Sequence, residues 1–284
     1  MTTATEAVSV PAARVRHSPL AFVRRHVLTV YSLLVFAYLL LPIVVVVLFS
    51  FNAPQGRFNV VWNHFTWDNW VNWDAVSGIR SAIEVSLEVA AIASIAATAL
   101  GTLIALALVR YRFRGRGSTN LLIFLPMASP EIVLGASLLT LFLSLDVQLG
   151  FWTITIAHVM FCISYVVVTV KARLVSFDRH LEEAAMDLGA NEWTTFRKVT
   201  LPLLAPAILS ALLLCFALSI DDFVITNFNS GDTVTFPLFV WGAARVATPP
   251  QINVIGTAIF AVAISIMLVN VVIQMARTRK GTTV

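Results

Sequence analysis

The sequence contains few charged residues and few cysteines. Charged side chains account for 12% of its 284 residues, about half the share found in ordinary soluble proteins. Hydrophobic side chains account for 58%. The two cysteines, Cys162 and Cys215, lack the spacing of metal ligands, and we interpret both as small core residues. This balance excludes an ordinary soluble domain and predicts a polytopic membrane protein.

The motifs of common enzymes are also missing. The sequence has no phosphate-binding loop of the type G-x-x-x-x-G-K-S/T, no nucleophile elbow and no His-Glu-x-x-His zinc motif. An intramembrane enzyme would need a nucleophile with its base, or a set of metal ligands, and neither is recognisable. We therefore expect that the chain is not an enzyme and binds no metal or cofactor of its own.

Six apolar runs are each long enough to cross a bilayer, which takes about 20 residues. They cover residues 27–50, 83–109, 120–143, 151–171, 204–228 and 252–275. The predicted fold is all-α, with six transmembrane helices and both termini on one side. The first run is longer than the apolar region of a signal peptide, about 7–15 residues, so we interpret it as a retained span.

Basic residues are concentrated on one side of this topology. All but three of the 19 lysines and arginines fall on the side of the termini, and the exceptions are Arg57, Arg80 and Arg245. Because basic residues mark the cytoplasmic side, both termini are predicted to be cytoplasmic in a cell membrane. The net charge of +4 thus reflects topology and gives no argument for nucleic-acid binding.

The same reasoning divides the chain into three parts. These are a cytoplasmic tail over 1–26, a transmembrane domain over 27–275 and a second cytoplasmic tail over 276–284. Residues 1–19 are polar and lack periodicity, which predicts disorder. The transmembrane domain includes a charged cytoplasmic loop over 172–203.

This loop carries the most specific pattern of the chain, Glu-Ala-Ala, three residues, Gly, nine residues, Val, one residue, Leu-Pro, over residues 183–202. Apolar residues at helical spacing form a stripe: Leu181, Ala184, Ala185 and Leu188. Asp178 is a candidate N-cap, and Gly189 stands where a left-handed cap would end the helix. Glu182, Glu183 and Asp187 offer carboxylates to an arginine-bearing partner. The segment is predicted to be a short helix that docks onto another protein.

The pattern resembles the cytoplasmic loop of importer-type ABC transporter permeases. The resemblance implies a type I importer permease fold, with residues 178–189 as the helix that couples the permease to its ATPase. It also implies the partners: a second homologous permease, two copies of an ABC ATPase that hold ATP and Mg²⁺, and an extracytoplasmic solute-binding protein. A secondary transporter would instead use ion-coupled carboxylates and no ATPase, and the loop pattern disfavours it.

Each carboxylate inside a predicted span costs at least roughly 2.5–3.5 kcal/mol. Glu84 and Glu88 stand at the outer end of the second span, whereas three others lie further inside. Glu131 lies near the middle of the third span, and Asp221 and Asp222 lie in the fifth. Residues at three- and four-residue steps place Asp222 on one stripe with Cys215, Ser219, Thr226 and Asn229. We predict that this stripe faces the pathway, that Asp222 meets the solute with Ser219 and Thr226 beside it, and that Asp221 is structural. Bonding between helices is the alternative role for all three carboxylates.

Acidic residues without a countercharge on their own span favour a cationic solute. The segments 125–139 and 219–231 and the run Pro249–Asn253 resemble the spermidine and putrescine branch of these permeases. Gln251 departs from that branch, in which an acidic residue is expected. Import of a sugar or another small solute is the alternative that the sequence leaves open.

Two segments are predicted to lie outside the cytoplasm. Residues 52–80 are rich in tryptophan, which indicates either an interfacial belt or a docking surface for the external binding protein. Residues 235–253 are too short to cross and are predicted to form an external or re-entrant helix. Pro237 would open that helix, and Arg245 on it is either solvated or in contact with an acidic partner.

Overall fold

The computed structural model describes residues 19–281, and within them the side chains of residues 26–265 and of Leu268. The prediction of disorder for 1–19 therefore lies almost entirely outside the described residues, and of the predicted tail 276–284 only the helical backbone up to Gly281 is described. The helices are α1 Pro19–Ser50, α2 Asp68–Val71, α3 Ile79–Arg110, α4 Arg116–Ala128, α5 Glu131–Ser144, α6 Phe151–Val175, α7 His180–Asp187, α8 Glu192–Thr195, α9 Leu201–Ile220, α10 Val224–Asn229, α11 Phe236–Val246 and α12 Pro250–Gly281. A five-residue π-helical turn, Phe196–Thr200, joins α8 to α9.

The predicted all-α fold is confirmed. In the described part of the chain, β-type pairing is limited to two isolated bridges. Four helical segments there are long and apolar enough to cross a membrane: His26–Ser50, α3, α6 and Glu192–Ile220. The pair α4 and α5 makes a fifth if it is counted as one bent span. The predicted sixth span, 252–275, falls within the 32-residue helix α12.

Two predicted spans are not continuous helices. The third, 120–143, is broken between α4 and α5, whose axes differ by 109°. The physical reason is the pair Ser129–Pro130, because a residue before proline is forced into an extended conformation, and Ser129 has φ −82° and ψ 140°. The fifth, 204–228, is broken after Ile220 and resumes at Val224. Glu131 is therefore the first residue of α5 and not the middle of a straight helix.

The core is formed by α3, α6 and α9, which pack along their lengths. Small residues of α3 allow close contact with α6. At Gly101 an added Cβ would lie 2.6 Å from the Cβ of Val166. Cys162 and Cys215 are both fully buried between α6 and α9, where each thiol donates to the other residue's carbonyl oxygen. Their interpretation as core residues is confirmed.

Substituting Gly101 with valine is expected to weaken the packing of α3 against α6. Overpacking of a dense core typically costs about 1–3 kcal/mol, and here the new side chain would overlap Val166. The thermal stability of the detergent-purified protein should fall. Gly242→Val on α11 is the matched control, because no atom lies within 4 Å of its added Cβ. Equal stability of the two variants would contradict this packing.

The segment between α1 and α3 is held by buried amides and stacked aromatic rings. Asn52 donates to the Oδ1 of Asn59 at 2.7 Å, and Asn69 donates to the carbonyl oxygens of Ser50 and Asn52 at 3.1 and 2.8 Å. Phe51 contacts a ring cluster beside these amides: Phe65, Trp67 and Trp70. Trp67 remains 59% exposed. The segment is thus a folded platform with an open aromatic surface.

Candidate functional site

The two broken helices meet at a pocket of about 300 Å³. Its walls come from the α4–α5 break, from the α9–α10 break and from α6. The lining residues are Pro126, Glu131, Leu134, Phe161, Tyr165, Leu218, Asp221, Asp222, Phe223, Val224 and Ile225. The pocket therefore combines the three carboxylates that the sequence singled out with three aromatic rings. We call it the acidic pocket.

Asp222 forms the break between α9 and α10. Its Oδ2 accepts from the backbone N–H and from the hydroxyl of Thr226, both at 2.8 Å. The carboxylate thereby satisfies a backbone donor in the first turn of α10, as a helix cap does. Asp222 is well placed to start α10 where α9 stops.

His158 on α6 completes a buried network around this carboxylate. Its Nδ1 lies 2.6 Å from the hydroxyl of Ser219, and its Nε2 lies 3.0 Å from the hydroxyl of Thr226 and 3.3 Å from Asp222 Oδ2. Since the Thr226 hydroxyl donates to Asp222, its oxygen is free to accept from Nε2–H of His158, and Nδ1 pairs with the Ser219 hydroxyl. The side chains of His158 and Asp222 are 1% and 7% exposed. The network joins α6, α9 and α10.

The structure distributes the predicted pathway residues differently from the sequence analysis. The stripe of Cys215, Ser219, Asp222, Thr226 and Asn229 packs against its own bundle, with four of its members fully or almost fully buried and Asp222 in the His158 network. Asp221 and Glu131 are instead exposed side chains at the edge of the acidic pocket. The helical spacing correctly placed these five residues on one face, but it could not show that α6 covers that face.

Sequence reasoning missed the residues that α6 contributes. His158, Phe161 and Tyr165 lie on one face of α6 at three- and four-residue steps, toward the acidic pocket and its network. A histidine in an otherwise apolar span was the available signal. Its partners lie 61 and 68 residues further along the chain, so no local pattern could reveal them. Within the described residues, no cluster of three or more potential ligands could hold a metal ion.

A second site is formed by α7, the helix predicted to couple to an ATPase. Asp178 precedes the N-cap position, which is Arg179 and not Asp178 as predicted, and its carboxylate accepts from the backbone N–H of His180 at 3.0 Å. Gly189 has φ +87°, the left-handed conformation expected of a helix stop. Leu188 is 90% exposed and Leu181 is 49% exposed. The helix therefore presents an open apolar face on a polar loop.

The remaining residues of α7 divide between two faces. Glu183, Ala184, Asp187 and Gly189 are exposed beside the two leucines, whereas Glu182 and Ala185 are partly buried toward the bundle. We call the exposed set with Leu181 and Leu188 the docking face. The predicted apolar stripe is thus split, because Ala185 lies on the inner side.

Comparison with known protein families assigns this chain to one of them. Residues 97–279, which include the acidic pocket and α7, match the family described as "Binding-protein-dependent transport system inner membrane component". The chain belongs to this family. It is therefore a transport permease, and this assignment agrees with apolar helices of membrane-spanning length.

Named relatives cover nearly the whole permease. The spermidine/putrescine transport system permease protein PotC of Haemophilus influenzae is 40% identical over 88% of this chain and 96% of the relative. PotC of Escherichia coli K12 is 37% identical over 87% and 94%. The putrescine transport system permease protein PotI of Escherichia coli K12 is 40% identical over 81% and 84%.

Solved structures share the fold of the permease. A bacterial ABC transporter involved in the import of the acidic polysaccharide alginate aligns with a TM-score of 0.64 at 19% identity. The alignment covers 91% of this chain and 98% of that one. A second structure, the alginate transporter in complex with a pentasaccharide-bound periplasmic protein, aligns with a TM-score of 0.58 at 16% identity over 91% and 97%.

Proposed function

We propose that this permease is a subunit of an ATP-driven importer for polyamines such as spermidine and putrescine. The observation that carries the proposal is the identity of 40% to a spermidine/putrescine permease over 96% of that relative. Similarity that extends from α1 into α12 includes the pocket as well as the coupling helix. This similarity therefore supports a polyamine as the solute, in addition to supporting the class of transporter.

The chemistry of the acidic pocket supports a cationic solute. Asp221 and Glu131 offer exposed carboxylates, and Phe161, Tyr165 and Phe223 offer aromatic faces to the same space. Ammonium groups bind both kinds of surface, through charge-assisted hydrogen bonds and through cation–π contacts. In this proposal Asp221 and Glu131 contact the solute. Asp222, Ser219 and Thr226 hold the pocket's shape through His158.

The proposed assembly pairs this permease with a second, homologous one across a central pathway. Two ABC ATPase subunits bind ATP and Mg²⁺ and contact the docking face of α7, on the cytoplasmic side together with both termini. An extracytoplasmic binding protein delivers the solute on the opposite side. ATP-driven closure of the ATPases would favour one of two pathway conformations, because a ligand shifts a population only by binding one state more tightly.

The test is uptake of labelled spermidine and putrescine by cells with and without this subunit. The host should have no other active polyamine importer, and excess unlabelled maltose and amino acids serve as competitors. We expect uptake to depend on the subunit and to be insensitive to both competitors. Unchanged polyamine uptake on deletion would refute the polyamine assignment. Competition by maltose would indicate a sugar permease in its place.

A further inference from the structure

A single carboxylate ties the coupling helix α7 to the membrane-spanning bundle. Glu182 Oε1 accepts from the guanidinium of Arg110 at 2.7 Å and from the hydroxyl of Thr200 at 2.5 Å. The Arg110 and Glu182 side chains are only 13% and 16% exposed. They line a cleft of about 340 Å³ between α7 and the bundle. This cluster is separate from the docking face.

The neighbouring carboxylate has a different environment. Glu183 is 61% exposed and contacts only the ring nitrogen of His180 within the described residues, at 3.1 Å on the same helix. Such an exposed pair contributes little to stability. One acidic side chain of α7 therefore points outward to a partner, and the next points inward to the fold.

The two partners of Glu182 stand at the ends of two core helices. Arg110 is the last residue of α3, and Thr200 is the last residue of the π-helical turn that leads into α9. The Arg110 guanidinium also lies 5.6 Å from the ring centre of Phe177, just before α7. Displacement of α7 would consequently pull on α3 and α9 through one shared oxygen atom.

The π-helical turn is an independent sign that this junction has a specific role. π-Helical turns are rare, and they are frequently found at functional sites. Here the turn Phe196–Thr200 places Thr200 within reach of Glu182. From Leu201 the rigid helix α9 extends for 20 residues to Ile220. Asp221 of the acidic pocket follows directly.

We propose that Glu182 is a positioning residue that makes α3 and α9 follow α7, so that movement of the docked ATPase reaches the acidic pocket. The inference rests on the proposed function, since it needs an ATPase that contacts α7. The role proposed for Glu182 differs from that of the docking face, because Glu182 contacts other parts of the permease and not the ATPase. Loss of Glu182 should uncouple the two sites without releasing the ATPase.

The test uses the purified importer complex in lipid nanodiscs, with and without solute-loaded binding protein. For Glu182→Gln we expect normal amounts of bound ATPase and normal basal ATP hydrolysis. Stimulation of hydrolysis by the loaded binding protein should fall about tenfold, within the usual range of about 5- to 150-fold for coupling between sites. The exchanged pair Glu182→Arg with Arg110→Glu should recover part of the stimulation, because it restores the link to α3.

Glu192→Gln is the matched control, since Glu192 lines the same cleft and keeps the Glu182 cluster intact. It should leave stimulation unchanged. An unchanged ratio of stimulated to basal hydrolysis in Glu182→Gln would overturn the proposal, as would a loss of bound ATPase. If the wild-type complex responds to another solute but not to polyamines, the polyamine assignment fails, and the Glu182 comparison is made with that solute.

Discussion

Neutralising both exposed carboxylates of the acidic pocket, with Asp221→Asn and Glu131→Gln, is expected to reduce polyamine uptake about 100-fold at low solute concentration. A hydrogen bond to a charged group contributes about 1.5–3 kcal/mol, and each 1.4 kcal/mol is about tenfold. Each single substitution should therefore lower uptake about tenfold. The measurement is initial uptake rate against polyamine concentration, normalised to the amount of permease in the membrane.

Two further variants separate solute contact from structure. Asp222→Asn should reduce the thermal stability of the permease, because its carboxylate holds Thr226 and His158. Asp146→Asn, an exposed acid in the loop after α5, should change neither uptake nor stability. Normal polyamine uptake in the double variant Asp221→Asn with Glu131→Gln would remove the acidic pocket from the pathway. A neutral solute should be insensitive to the same changes.

Placing a charge on the docking face, with Leu188→Glu, is expected to release the ATPase. Leu188 is 90% exposed in the free permease, and burying a leucine side chain contributes about 1.5–3 kcal/mol. Losing that contact and burying a carboxylate in its place should weaken ATPase binding by at least about tenfold. The measurement is the amount of ATPase that co-purifies with the permease, followed by ATP-dependent uptake.

The control for this variant is Val246→Glu on α11, which adds the same charge at a residue that is 68% exposed. It should retain the ATPase in full. Co-purification of normal amounts of ATPase with Leu188→Glu would show that α7 does not dock through this face. Glu183→Lys combined with Gly189→Pro should give the same loss as Leu188→Glu, since proline cannot adopt the φ of +87° at Gly189.

Several features of the permease could be read from the sequence because they depend on local chemistry. Apolar runs predicted most of the long helices, and the glycine at position 189 predicted the end of α7. The α4–α5 break also had a local signal. Pro130 disfavours a helical conformation at Ser129, which predicts a helix end at that residue. The run was long enough for a span, and length alone suggested a continuous helix.

Other features depended on contacts between distant segments. The roles of Asp221 and Asp222 could not be assigned by helical phase, because His158 lies on a different helix, 64 positions away from Asp222 in the numbering. Glu182 and Glu183 are equivalent as residue types, yet Arg110 makes them different by approaching only one of them. In both cases the sequence located the acidic residues, and the packing of α3 and α6 decided what each one contacts.

The burial of Cys162 and Cys215 has a practical consequence for spectroscopy. They are the two cysteines of the chain, and both thiols are shielded between α6 and α9 with an exposed fraction of 0%. A maleimide or spin-label reagent applied to the folded protein should therefore leave them unmodified. Cysteines introduced at the exposed positions Asp146 and Val246 could then be labelled selectively in the otherwise native sequence, and the distance between the two probes could be followed through the transport cycle.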